Sequence, residues 1–189
     1  MRRLPIVPTV IVGIAVAVMI GLGFWQIARL HQKEAMLARY AAAQGSSAQM
    51  PFPFTPADTE SALYHRSTLD CVSASDPTSR SGRTAKGDAG IAQIVTCHQA
   101  DGNTAELVLG VAQTPATVAW SGGTVTGWIA PGPRLIADPP QAGLAANARP
   151  DPNDIANNHL AYAVQWWFFA LVAVVIYALA VRKRASSPD

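Results

Sequence analysis

The chain has 189 residues, of which 50% are hydrophobic and only 14% charged, against roughly 25% charged in an average soluble domain. Its apolar content excludes general disorder, and its length excludes a large multidomain enzyme. The formal net charge of +2 becomes informative only once the charges are placed along the chain.

Residues 1–5 form a short tail carrying Arg2 and Arg3, and residues 6–27 follow without a single Asp, Glu, Lys or Arg. At about 1.5 Å per residue, this 22-residue run covers the roughly 30 Å of bilayer hydrocarbon as a transmembrane helix. It is longer than the apolar core of a secretory signal, roughly 7 to 15 residues, and bulky Phe24 and Trp25 stand where a cleavage site needs small residues. It reads as an uncleaved anchor. Gly13, Ala17 and Gly21 recur every four residues, a flat stripe that would let a second helix approach, with Ala163 and Ala170 as counterparts.

Residues 28–159 lie between the spans and are long enough for one extracytoplasmic domain. Residues 28–43 continue the helical pattern as a stalk, with Ile27, Leu30, Leu37 and Tyr40 near one face. Met50-Pro51-Phe52-Pro53-Phe54-Thr55-Pro56 reads as an extended linker, because each proline removes a donor and restricts its predecessor. Strand signals then dominate over about 60–138, in the runs 63–73, 91–99, 105–112, 117–120 and 124–129. Ala100-Asp101-Gly102-Asn103 and Ser121-Gly122-Gly123-Thr124 supply the positive-φ residues of tight turns. The polar stretch 73–87 reads as a loop between strands, and Asp151-Pro152-Asn153-Asp154 as a turn leading to the second span.

The second span, residues 160–181, is equally free of charge and ends in Arg182, Lys183 and Arg184 of the tail 182–189. Nine basic and eleven acidic residues fall between the spans, whereas the two tails hold five basic residues and Asp189. This asymmetry predicts a bacterial inner membrane protein with both termini cytoplasmic and the central domain periplasmic. Trp25 closes the first span while Trp166 and Trp167 open the second, forming an aromatic level at one interface with membrane lipid. The basic excess is confined to the tails, which gives nucleic acid binding no support. The expected fold is two transmembrane α-helices flanking a mainly antiparallel β domain, a small sheet or a barrel.

Cys71 and Cys97 lie in neighbouring predicted strands on the side of the membrane where disulfides persist, and read either as a bridge or as two buried thiols. A metal site adding His65 and His98 is disfavoured, because Cys97 and His98 are adjacent on a strand and point to opposite faces. The sequence has no Gly-x-Ser-x-Gly elbow, phosphate-binding glycine loop or His-Glu-x-x-His motif, so no catalytic residue is assigned.

The most informative segment is Asn157-Asn158-His159-Leu160-Ala161-Tyr162-Ala163-Val164-Gln165-Trp166-Trp167-Phe168-Phe169-Ala170. On a helix His159, Tyr162, Ala163 and Trp166 share one face. Imidazole beside aromatic rings suits a flat metal-bearing macrocycle, since a neutral His nitrogen is an axial ligand of haem iron. The same residues also read as a capped helix start with ordinary interfacial aromatics.

At these residues the chain resembles the surfeit locus protein one family of cytochrome c oxidase assembly factors. The start of the second span reads much like the family's, Gly23-Phe24-Trp25-Gln26-Ile27-Ala28-Arg29 matches its Gly-x-Trp-Gln-x-x-Arg pattern, and Tyr64-His65-Arg66 matches its Tyr and Arg at the first strand. The family's Asn-Arg-Gly-Trp-Val-Pro-like segment has as its nearest counterpart residues 108–115, which lack the Arg and Trp, as in a divergent bacterial member. The resemblance implies a non-enzymatic factor that binds or guides haem A for insertion into oxidase subunit I. His159 would be the residue that contacts iron, with Trp25, Tyr162, Trp166 and Trp167 lining the site. Oxidase subunit I and haem A synthase are the implied protein partners. The competing expectation is a structural membrane chaperone for oxidase subunit I that does not contact haem.

Overall fold

A computed structural model describes residues 5–114 and 118–186. The chain divides into two compact units, residues 1–36 with 155–189, and residues 37–154.

The first unit is a helix pair. Helix α1 runs Ile6–Gly45, its last turns belonging to the second unit, and helix α3 runs His159–Ser186. Pro8 is tolerated because it falls in the first turn of α1, where the N–H groups have no intrahelical acceptor. Both helices are long and apolar enough to cross a membrane, and almost none of either apolar window is buried. Ile11, Ile14, Val18 and Phe24 on α1 and Phe168, Leu171 and Ile176 on α3 are exposed. So much bare apolar surface is costly in water and ordinary in hydrocarbon, and the pair fits a membrane protein.

Among the less exposed positions of α1, Thr9, Val12, Val16, Met19, Gly23, Gln26 and Leu30 alternate by three and four residues, with Leu22 and Ile27 flanking them. That spacing keeps one seam turned toward a neighbouring helix. Thr9 hydrogen-bonds Tyr177 at one end and Gln26 hydrogen-bonds His159 at the other, so the helices run antiparallel. The seam corrects the expected stripe. A Cβ added at Gly13 or Gly21 would meet nothing, and Ala17 is exposed. The small residues that admit close approach are on α3, where Ala163 and Ala170 are buried.

In the second unit the end of α1 docks through Tyr40, whose ring lies 4.8 Å from that of Tyr64, and through Gln44 Nε2, which donates to the Pro150 carbonyl at 2.6 Å. Residues 46–55 contain no helix, and the Met50 N–H donates to the Arg66 carbonyl. Pro56 does not belong to that extended segment. It opens a short helix, α2 (Pro56–Ala62), at the position where a fixed φ and a missing N–H do no harm.

Six strands follow: β1 (Arg66–Cys71), β2 (Ser73–Arg83), β3 (Ala89–His98), β4 (Thr104–Ala112), β5 (Gly123–Ala130) and β6 (Arg134–Ala137). They form one sheet in the order β1-β5-β6-β4-β3-β2, antiparallel except where β4 meets β6. The sheet is therefore mixed. Leu69, Leu107, Leu109, Ile129 and Leu135 are fully buried on it and form the core. Gly102, at φ +85, turns the β3–β4 hairpin while the Asp101 carboxylate accepts the Asn103 N–H.

The edge strands β1 and β2 are consecutive in the chain, separated only by Val72. At that corner the Val72 N–H donates to the His98 carbonyl at 2.8 Å, and a disulfide joins Cys71 of β1 to Cys97 of β3 with Cα atoms 5.2 Å apart. The sheet thus curls until its two sides meet at one corner. No ladder joins β1 to β2, and the barrel alternative is excluded.

Three further expectations change. The stretch 73–87 is not a loop, since 73–83 is strand β2 and only 84–88 turns. A mostly exposed edge strand needs no apolar pattern, and its ladder to the buried β3 is enough to order it. The run 63–73 is broken at both ends, with Tyr64 at φ +65 before β1 and Val72 after it. Of the expected strand 117–120, residues 118–120 are not strand and Thr117 lies outside the described residues.

Candidate functional site

At one end of the helix pair the two membrane-proximal motifs meet. Gly23 and Gln26 are one turn apart on α1, and His159 and Ala163 one turn apart on α3, so each pair lies on the seam. Gln26 Oε1 and His159 Nδ1 are 2.7 Å apart. An amide oxygen can only accept, so Nδ1 donates, and in the neutral form of the ring the lone pair is then on Nε2. A half-buried second partner that fixes the tautomer in this way is what a metal-ligating histidine requires. His159 is half-buried, and beside it Asn157 Oδ1 is a buried acceptor without a partner.

One turn further along, a Cβ at Gly23 would run into the Trp167 indole. Glycine is required there to seat that ring, which also packs edge-on against Phe24 at 5.6 Å. Trp166, the residue expected on the His159 face, is half-buried and lies edge-on to Phe169 at 6.3 Å. Trp25 and Tyr162 are each 51% exposed, and the Arg29 guanidinium sits 5.6 Å over the Trp25 ring. The structure therefore brings His159 and Trp167 onto α1 and leaves Trp166 half-buried, while Trp25 and Tyr162 stay open to their surroundings. Gln26 and Gly23 were not singled out as site residues from the sequence. Their three-residue spacing inside the Gly-x-Trp-Gln pattern was the available signal.

The second unit contains a polar cluster of its own. Arg66 brackets Asp138, with Nη1 donating to Oδ2 and Nη2 to the main-chain carbonyl, both at 3.1 Å. The Trp128 indole N–H donates to the same Oδ2 at 3.0 Å, and the guanidinium groups of Arg66 and Arg149 lie 5.1 and 5.0 Å from the Trp128 ring centre. Burial alone would raise the Asp138 pKa. The hydrogen bonds from Trp128 and Arg66 and the charges of Arg66 and Arg149 outweigh it and hold the carboxyl below its ordinary value. Tyr64, of the Tyr-His-Arg motif, is buried against Tyr40, and burial raises its pKa. His65 Nδ1 is buried without a partner, and His98 Nε2 hydrogen-bonds Ser75 Oγ at 2.7 Å.

A family model described as SURF1 family matches residues 13–140 and 100–171. The chain belongs to the SURF1 family. The match includes Gly23, Gln26 and His159 as well as the whole sheet, so the family covers both units. SURF1 membership is consistent with a cytochrome oxidase assembly role. A search of individually curated proteins returns no match.

Proposed function

We propose that this SURF1 protein is an assembly factor for cytochrome c oxidase that binds or guides haem A for insertion into oxidase subunit I, with His159 as the residue that meets iron. The observation that carries the reading is the Gln26–His159 hydrogen bond, which joins two motif segments 133 residues apart and leaves Nε2 as the lone-pair nitrogen. The donor set fits the group: a neutral imidazole held at its other nitrogen, flanked by aromatic residues with exposed faces. When bound, haem A would supply an iron that a histidine nitrogen can ligate. His159 holds that nitrogen ready, Gln26 fixes its tautomer, and Trp25, Tyr162 and Trp166 offer apolar surface to a macrocycle. Trp167 offers its ring to the same site and is seated on Gly23, where it sets the spacing of the helices.

The charge asymmetry supports an orientation with both tails in the cytoplasm of a bacterium and the sheet domain in the periplasm. The role is delivery, performed without a catalytic residue, and the partners are oxidase subunit I, haem A synthase and membrane lipid. The test is an absorbance spectrum of the protein purified from cells that make haem A, together with a probe for oxidase subunit I in the same preparation. A haem A spectrum in the purified protein is expected. Subunit I without haem would instead support a structural chaperone.

A further inference from the structure

We infer that the sheet domain has a binding site for a small free carboxylate, separate from the helix pair, in a cavity of about 130 Å³ beside Trp128. Its walls include Trp128, Asp138, Asn147, Arg149, Ile136 and Ala85. The decisive observation is Asn147 Nδ2, a buried donor with no partner among the described residues. The main chain that carries Asn147 is held on both sides, which fixes where its side chain starts. The Ala85 N–H donates to the Ala146 carbonyl at 2.8 Å and the Ala148 N–H donates to the Arg83 carbonyl at 2.9 Å, while Ala145 exchanges two hydrogen bonds with Val111. Buried polar groups are almost always paired, so an orphan donor held in a cavity wall asks for an acceptor.

The charges say which acceptor. Asp138 Oδ2 is already engaged by Arg66 and Trp128, and Arg149 stands over the Trp128 ring at the cavity. Two guanidinium groups against one carboxylate leave one positive charge in surplus. A carboxylate brings one negative charge and a planar pair of acceptors that suits a guanidinium fork and an amide N–H. A phosphate brings more charge than the surplus. The space is that of roughly four water molecules, enough for propionate and too little for a folded-back peptide.

Full-length protein in micelles with ¹⁵N-labelled tryptophan gives an indole resonance for each of its five tryptophans. Propionate at fixed ionic strength should shift the Trp128 resonance along a saturating curve, and chloride or propylammonium should not. Arg149→Gln, at an exposed residue, should weaken the apparent affinity about tenfold or more, the loss of a charge-assisted hydrogen bond. Asn147→Ala should also weaken it, with the remaining indole resonances unmoved. A shift that is linear, shared with chloride, or identical in the Arg149→Gln protein overturns the proposal and leaves a hydrated cavity.

Discussion

His159 on α3 and Gln26 on α1 are joined across the helix pair by a 2.7 Å hydrogen bond between Nδ1 and Oε1. The bond gives each a reason to be where it is. An interfacial histidine would otherwise be free to take either tautomer, and the glutamine fixes it. Replacing Gln26 by Ala should therefore weaken haem retention about 10- to 100-fold, the usual effect of losing the residue behind a metal ligand, while leaving the helix pair assembled. Gln26→Glu keeps an acceptor and should restore binding. Equal haem spectra in the Ala and wild-type proteins would remove Gln26 as a positioning residue.

Gly23 and the outward residues of α1 make opposite predictions. Gly23→Leu would displace the Trp167 ring and should reduce photo-crosslinking across the helix pair. Ala17→Leu and Gly21→Leu point away from α3 and should leave it unchanged. Disruption by the Gly21 change with tolerance at Gly23 would reverse the assigned seam.

How far the sequence disclosed this arrangement depends on the range of each signal. The two apolar helices were legible because an absence of charge over 22 residues is a local property. The contact face was not, because small residues mark where a helix can be approached without saying where its partner stands. Gly13, Ala17 and Gly21 met that local criterion, and the Ala163 and Ala170 side of the seam was right. Strand β2 was missed because an edge strand exposed along most of its length carries no alternation to read. The Cys71–Cys97 bridge stayed open because it depends on curling of the sheet, which brings non-neighbouring strands β1 and β3 together at one corner. The Gln26–His159 pair is equally non-local, and only the resemblance of both segments to one family hinted that they belong together.

The disulfide should be a large share of the stability of the sheet domain. It closes a separation of 26 residues, for which the chain-entropy relation gives about 3 to 4 kcal/mol. Chemical unfolding of the protein with Cys71→Ser and Cys97→Ser, followed by tryptophan fluorescence, should show a loss of that order. A change under about 1 kcal/mol would mean that the Val72–His98 corner holds without the bridge.

Asp138 makes stability depend on pH. Its folded pKa is lowered from 3.8, so its contribution is present above that value and is lost as pH falls through the lower folded value. Asp138→Asn should be less stable than wild type at neutral pH, and the difference should shrink below about pH 4. A gap that persists unchanged at pH 2 would assign the effect to the shape of the Arg66 bracket rather than to charge.

The charge asymmetry predicts a topology that a reporter can check. A reporter active only in the periplasm should work when inserted at the Gly102 turn, an exposed hairpin tip, and fail when fused after Asp189. The opposite pattern would invert the assignment of every residue to a side.

The most direct test of the account is the haem spectrum of His159→Ala. The side chain is half-buried and among the described residues it hydrogen-bonds Gln26, so the variant should reach the membrane at normal levels with the sheet domain folded. Purified from cells that make haem A, it should have lost or strongly shifted the haem absorbance of the wild-type protein, with less haem-loaded oxidase formed in the same cells. An unaltered haem spectrum in His159→Ala would contradict the account.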